Sequence, residues 1–257
     1  MNIYVLGAGS MGAALIAGLC NLENVSRENI YVLSGHTEST AKIAHKYQIN
    51  PVGQLAEFSG ADLVINATPV DVTRTILPKL ASIITAETVV VSVAYGVDVP
   101  ELKQLLGRVT GLIYMIPNIP VSVNQGVLAV DSTVDQASED TPVMELLRGL
   151  GQIVRVEADL LDVVSAGGGS APAFAAIFVE ALADSMVLHG LGRKVAYQVA
   201  EQMLRGTASL LLDRQILPAQ LKDLVASPGG STIRGVNALE QHGFRAAVME
   251  AITKTIA

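Results

Sequence analysis

Tryptophan is absent, and aromatic residues make up only 4% of a 257-residue chain that is half hydrophobic. A core so poor in rings has to be built from Ala, Val, Ile and Leu, which suits buried parallel strands and closely packed helices. Cysteine occurs once, at Cys20. That excludes an intrachain disulfide framework and agrees with a reducing cytoplasm. The small residues around Cys20 read as a helix with a buried thiol. Charged residues are sparse at 16%, with a net charge of -7 and no basic cluster, which argues against a general nucleic-acid binder. No zinc-type spacing appears, so no metal is expected. The first apolar run has no charged region before it and breaks at Gly7, so it reads as neither a signal peptide nor a membrane span. The apolar stretch Ala171 to Leu188 is long enough to raise the membrane question again. Glu180 and Asp184 interrupt it, and helical burial in a soluble protein is the expectation.

What is present falls into two halves. Asn2 to Leu6 reads as a strand, followed at once by Gly7-Ala8-Gly9-Ser10-Met11-Gly12 and a helical pattern to about Leu22. This is GxGxxG between a strand and a helix: Gly7 permits the tight turn, Gly9 lets a pyrophosphate approach, and Gly12 allows close helix packing. A second strand, Ile30 to Leu33, ends in Ser34-Gly35-His36-Thr37. No acidic side chain stands there to accept from ribose hydroxyls, while hydroxyls and an imidazole suit a 2′-phosphate. NADPH is therefore the expected cofactor, with NADH as the alternative. Further strands are expected at Ala61 to Ala67, Thr88 to Ala94, Gly111 to Ile116, Gly126 to Val130 and Gln152 to Val156. The third strand ends at Thr68 and Pro69, on the side of the sheet where ligands bind. A helix is expected near Pro142 to Leu150, after an acidic, Ser/Thr-rich loop from Asp131 to Thr141.

Beyond Val156 the strand-like runs stop, so a boundary is placed at Glu157: a nucleotide-binding domain over 1–157 and a helical domain over 158–257. Gly167-Gly168-Gly169-Ser170 precedes a helix with Pro172 in its first turn. Phe174, Ile177, Phe178, Ala181 and Leu182 follow the spacing of a buried helical stripe. Near the end, Ser227-Pro228-Gly229-Gly230-Ser231-Thr232 breaks two helical patterns. Ser231 or Thr232 is expected to cap the second helix, whose first amides would suit a carboxylate.

The run from Leu221 to Ala251, LKDLVASPGGSTIRGVNALEQHGFRAAVMEA, resembles the signature region of the pyrroline-5-carboxylate reductases. So do Pro117-Asn118-Ile119-Pro120, set against a usual Met-Pro-Asn-Thr-Pro, and the start of the helix at Ser170-Ala171-Pro172-Ala173. The resemblance implies a Rossmann-type α/β domain followed by an all-α dimerisation and substrate domain, and hydride transfer to a cyclic imine to give proline. It implies NAD(P)H on Gly7, Gly9, Ser10, Met11 and Gly12, with Ser34, His36, Thr68, Pro69 and Asn118 as further contacts. The imine's carboxylate would lie on the amides of Gly230, Ser231 and Thr232 beside Asn118, and the Thr232 hydroxyl would bond the ring nitrogen. A homodimer or higher homo-oligomer is implied, acting on a small molecule rather than on nucleic acid or membrane. Thr68, Ile119 and Gly168 depart from the family's lysine, threonine and hydroxyl residue. They keep in view a non-catalytic nucleotide-sensing paralogue or a reductase of a related imine. The β-hydroxyacid dehydrogenases share the architecture, but no lysine occurs between Gly169 and Glu180.

Overall fold

The computed structural model describes residues 1–109, 111–132 and 141–256. Their packing divides them after Gly169 into two compact units. The acidic segment expected to be a loop lies mostly outside the described residues.

The first unit is a single eight-stranded sheet in the order β3-β2-β1-β4-β5-β6-β7-β8. Its strands are β1 (Ile3–Leu6), β2 (Ile30–Leu33), β3 (Asn50–Pro51), β4 (Leu63–Asn66), β5 (Val89–Ser92), β6 (Gly111–Pro117), β7 (Gly126–Asp131) and β8 (Gly151–Val156). The helices α1 (Ser10–Cys20), α2 (Thr37–Tyr47), α3 (Val70–Ala81), α4 (Val99–Leu106) and α5 (Pro142–Leu150) carry crossovers between strands. Strands β1 to β6 are parallel, with β1 between β2 and β4, so the order turns back on itself beside β1. β1 and β4 are buried along their whole length. That explains their almost wholly apolar reading, broken only by Asn66 at the end of β4, since a parallel strand covered on both faces has no polar side to alternate with.

Two features were not anticipated from the sequence, which indicated no strand at Asn50–Pro51 and left the direction of β7 open. β3 is only two residues long and ends in Pro51, too short to leave a periodic signal. β7 runs antiparallel to β6, because the link from Asn118 to Gln125 holds only a 3₁₀ turn (Ile119–Val123) and no crossover helix. The unit closes with the short helix α6 (Leu161–Val164) and a π-helical turn over Ser165–Ser170.

The second unit, Ser170–Ala257, is helical: α7 (Ala171–Leu188), α8 (Arg193–Arg214), α9 (Pro218–Val225), α10 (Ser231–Gln241) and α11 (Phe244–Thr253). α7 and α8 pack against each other as a long hairpin. Its buried apolar residues are small, Ala183, Ala196 and Ala200, while Ile177 is 64% exposed and Leu212 74%. The stripe expected to be buried on α7 is only partly covered within one chain: Phe174, Phe178 and Leu182 are half-buried, with the Phe178 ring 6.1 Å from that of Phe244 on α11, while Ile177 and Ala181 are exposed. Glu180 is exposed as well.

Candidate active site

A cleft of about 780 Å³ opens along the carboxyl ends of β2, β1, β4 and β5. The glycine turn forms its middle. Gly7 has φ of +105°, and its amide donates to the Leu33 carbonyl at 2.8 Å. A side chain there would press on the Ala67 carbonyl, and one at Gly12 would strike the carbonyl of Gly7. Gly9 differs, since a Cβ at Gly9 would meet nothing of the protein within 4 Å. It borders open cleft, and it is the N-cap of α1 with no side chain capping the helix. The first amides of α1 therefore have no acceptor within the helix and aim at the space above Gly9. A diphosphate linkage fits this arrangement of open glycine, uncapped helix start and adjoining cleft.

At one end of the cleft lie Ser34, Gly35, His36 and Ser39. The Ser34 amide donates to the buried Thr40 hydroxyl at 2.9 Å, and the Ser34 hydroxyl donates to the His36 carbonyl at 3.2 Å. These bonds hold the loop at the start of α2, whose N-cap is the exposed His36. Among the described residues lining the cleft, His36 is the one side chain able to carry positive charge.

Thr68 and Pro69 line the cleft, but the Thr68 side chain is turned inward. Its hydroxyl donates to Asn66 Oδ1 at 2.7 Å and shares a 2.8 Å bond with the Thr73 hydroxyl. Asn66 Nδ2 donates in turn to Thr73 Oγ1 at 3.1 Å and to Ser92 Oγ at 3.2 Å. Thr68 thus closes a buried polar network under the cleft floor.

Asn118 is 6% exposed and does not line the cleft. Its Nδ2 donates to the Gly168 carbonyl at 2.8 Å, and its Oδ1 accepts from the Val127 amide at 2.9 Å. The neighbouring Ile119 is 50% exposed. Two residues that the sequence did not single out also belong here. Tyr95 lines the cleft at its β5 end, and Ser39 lines it at the β2 end.

In the second unit the expected cap is corrected. α10 starts at Ser231 with Gly230 as its N-cap, and neither the Ser231 nor the Thr232 hydroxyl caps it. Gly229, at φ +68°, turns the chain so that the Gly230 amide donates to the Ser227 carbonyl at 3.0 Å. The first α10 amides are left without side-chain acceptors, and both hydroxyls are exposed. Arg234, one turn along, donates to the Gly229 carbonyl at 2.8 Å and brings a guanidinium to the same loop. The sequence carried that residue in plain view, but its reach back to residue 229 depends on the turn.

Residues 158–257 match the family model for pyrroline-5-carboxylate reductase dimerisation, and residues 2–96 match the model described as NADP oxidoreductase, coenzyme F420-dependent. The pyrroline-5-carboxylate reductase of Escherichia coli is 35% identical over 255 residues, covering 98% of this chain and 95% of its own. The chain belongs to the pyrroline-5-carboxylate reductase family. That places it among NAD(P)-dependent oxidoreductases and removes the β-hydroxyacid dehydrogenases from consideration. A solved pyrroline-5-carboxylate reductase from Coxiella burnetii is similar at TM-score 0.84 and 26% identity, covering 99% of this chain and 96% of that one. The Plasmodium falciparum pyrroline carboxylate reductase, solved with NADP bound, has the same fold at TM-score 0.84 and 24% identity, covering 100% of this chain and 95% of its own. In this pyrroline-5-carboxylate reductase family member, the dimerisation match covers the exposed α7–α8 hairpin. It supports homo-oligomerisation as the reason for that unburied apolar surface. The helical run Ala158–Leu188 is long and apolar enough to cross a membrane by length and composition. It lies within the same dimerisation match.

Proposed function

We propose that this chain reduces 1-pyrroline-5-carboxylate to L-proline, using NADPH in preference to NADH. The observation that carries the reading is that each unit, taken by itself, holds an uncapped helix start suited to an anion. One, at α1, opens onto a nucleotide-sized cleft; the other, at α10, has hydroxyls and a guanidinium beside it. In this assignment the turn Gly7, Gly9, Ser10, Met11 and Gly12 holds the diphosphate of the cofactor. Ser34 and His36, at the start of α2, receive the 2′-phosphate, where a helix N-terminus and an imidazole both favour negative charge. Thr68 and Pro69 supply the floor near the nicotinamide, with Thr68 acting through its backbone because its hydroxyl is spent below. When bound, the dihydronicotinamide supplies the hydride that the imine carbon accepts.

The amides of Gly230, Ser231 and Thr232 take the substrate carboxylate at the start of α10, and Thr232 Oγ1 orients the ring nitrogen. Asn118 belongs to the same assignment, its side chain fixing the loop that presents the Pro117–Pro120 backbone. No nucleophile or metal is required, because a protonated imine already accepts hydride and positioning carries most of the rate. In this reading the functional division falls between Glu157 and Ala158, and the dimerisation match over residues 158–257 supports it. The assembly is a homodimer or a higher homo-oligomer in the cytoplasm, acting on a small molecule and on neither nucleic acid nor membrane.

The test is oxidation of NADPH and of NADH, with and without pyrroline-5-carboxylate. Substrate-dependent oxidation yielding proline, faster with NADPH, is the expected result. Thr232→Ala should lower kcat while leaving NADPH binding unchanged. Tight nucleotide binding without turnover would favour the sensing paralogue, or a related imine. The specific reason to keep that reading is Thr68, whose side chain faces the buried network rather than a ligand.

A further inference from the structure

Strand order gives the cofactor cleft a direction. β2 delivers Ser34 to His36 at one end, β1 and β4 deliver the glycine turn and Pro69 in the middle, and β5 delivers Val93, Ala94 and Tyr95 at the other end. A dinucleotide laid across the point where strand order reverses puts its adenosine half over β2 and its nicotinamide half over β4 and β5. Among the described residues lining the cleft Tyr95 is the one Phe, Tyr or Trp, and it stands at that second end.

Its setting is unusual for an exposed tyrosine. The side chain is 49% exposed, yet its hydroxyl donates to Asp162 Oδ1 at 2.7 Å. Asp162 lies on α6, 67 residues along the chain. Tyr95 also lines a second cavity of about 540 Å³, bounded by Val97, Pro100, Tyr114, Ile116 and Leu161. The ring therefore stands on the border between the cofactor cleft and a neighbouring void, a place where a free side chain would swing. The hydrogen bond to Asp162 removes that freedom before any ligand arrives, which lowers the ordering cost of binding. The same bond, the largest cause, raises the phenol's pKa above its ordinary value. The hydroxyl thus stays protonated and keeps donating.

We propose that Tyr95 is a positioning residue for the nicotinamide end of the cofactor, its ring walling the cleft beyond β5 and held there by Asp162. The inference rests on the cofactor reading above and adds to it a side chain that the motifs do not mark. A planar aromatic wall suits the planar nicotinamide ring, since offset ring contacts favour one orientation over the others.

The test compares two ligands by calorimetry on the full chain: NADPH, and adenosine 2′,5′-bisphosphate, which carries the adenosine half alone. Tyr95→Phe and Asp162→Ala should each weaken NADPH by about two- to tenfold, the range a single hydrogen bond commands. The double variant should be no weaker than either single one, because both remove the same bond. Tyr95→Ala should weaken NADPH further, by roughly tenfold or more, since the ring itself goes. In every variant the bisphosphate should bind as to the unaltered chain. Unchanged NADPH affinity in Tyr95→Phe and Asp162→Ala would overturn the proposal. Parallel loss of both ligands would overturn it too, because the pair would then act on the whole domain. Failure of the unaltered chain to bind NADPH at all would be seen before any substitution, and would remove the cofactor reading together with this inference.

Discussion

Asn118 Nδ2 donates to the carbonyl oxygen of Gly168 at 2.8 Å, across 50 residues of chain. With its Oδ1 accepting from Val127 N–H, the amide ties the loop after β6 both to β7 and to the π-helical turn that ends the first unit. Both ends of the side chain are needed, one as donor and one as acceptor. Asn118→Ala leaves a part-buried carbonyl and a part-buried amide without their partner, at a cost of up to about 1–3 kcal/mol. Asn118→Asp keeps the acceptor but turns an oxygen towards the Gly168 carbonyl and buries a charge, so it should be at least as damaging. Urea unfolding at one fixed protein concentration, needed because assembly contributes to stability, measures both. An aspartate variant as stable as the unaltered chain would show that the clamp is not what orders this loop.

Gly9 and Gly12 separate ligand binding from folding. A Cβ at Gly9 meets no protein atom within 4 Å, whereas one at Gly12 collides with the Gly7 carbonyl. Gly9→Ala should therefore unfold at the normal temperature yet bind NADPH roughly tenfold or more weakly, because the methyl occupies the diphosphate's approach. Gly12→Ala should lose about 1–3 kcal/mol of stability whether or not cofactor is present, the usual cost of forcing atoms into a filled space. Thermal melts with and without NADPH distinguish the two. A Gly9→Ala chain that binds NADPH normally would remove the diphosphate from this turn.

The glycine turn was legible in the sequence because its requirement is stereochemical: a tight turn and close approaches admit no side chain, and glycine alone meets that. The buried parallel strands were legible for a similar reason, as nearly unbroken β-branched and aliphatic runs. The role of Asn118 was not, since its partners are backbone groups of Val127 and Gly168, which any residue type supplies. Tyr95 was passed over because its meaning depends on Asp162, far along the chain. The stripe on α7 was read as buried, but periodicity says which face is apolar and not which chain covers it. The helix start at Ser231 was anticipated while its cap was not. Ser and Thr are the favoured caps, yet here the backbone of Gly230 takes the position and leaves both hydroxyls exposed.

Tyr114 gives the protein an alkaline limit. Only 6% exposed, its phenol is pushed up to about 12, mainly by burial, while the Gly96 amide donating to its oxygen offsets part of that rise. A group protonated more firmly in the folded state stabilises the fold fully below its unfolded pKa. That stabilisation is lost as pH climbs from the ordinary 10.0 towards the folded value of about 12. Tyr4 and Tyr95 are shifted in the same direction, so the useful quantity is a difference between two chains. Tyr114→Phe should be less stable at neutral pH, having left the Gly96 amide unpaired, and the gap from the unaltered chain should narrow above pH 10. Denaturant unfolding across the alkaline range measures that gap. A gap that stays constant would show that Tyr114 does not titrate with unfolding.

Thr68 tests whether the cleft floor is built from a hydroxyl network. Asn66, Thr73 and Ser92 are fully buried and Thr68 nearly so, and each side chain's polar atoms find partners within the group. Thr68→Val keeps the shape but removes the donor to Asn66 Oδ1, leaving a buried amide oxygen unpaired in low-dielectric surroundings. A loss of about 1–3 kcal/mol is expected, with NADPH binding weakened as the backbone of Thr68 and Pro69 loosens. Thr68→Ser retains the hydroxyl and should stay within about 1 kcal/mol of the unaltered chain, losing only a methyl. Thr68→Lys places the family's usual residue where the network needs a hydroxyl. Its long stem can carry the ammonium out into the cleft. That variant should lose stability like Thr68→Val while bringing a positive charge to the floor of a cleft where, among the described residues lining it, only His36 can carry one. Stability measured beside NADPH affinity in the three variants separates the two effects. If Thr68→Val matched Thr68→Ser in both, the hydroxyl would have no part in shaping the floor, and its inward orientation would be packing alone.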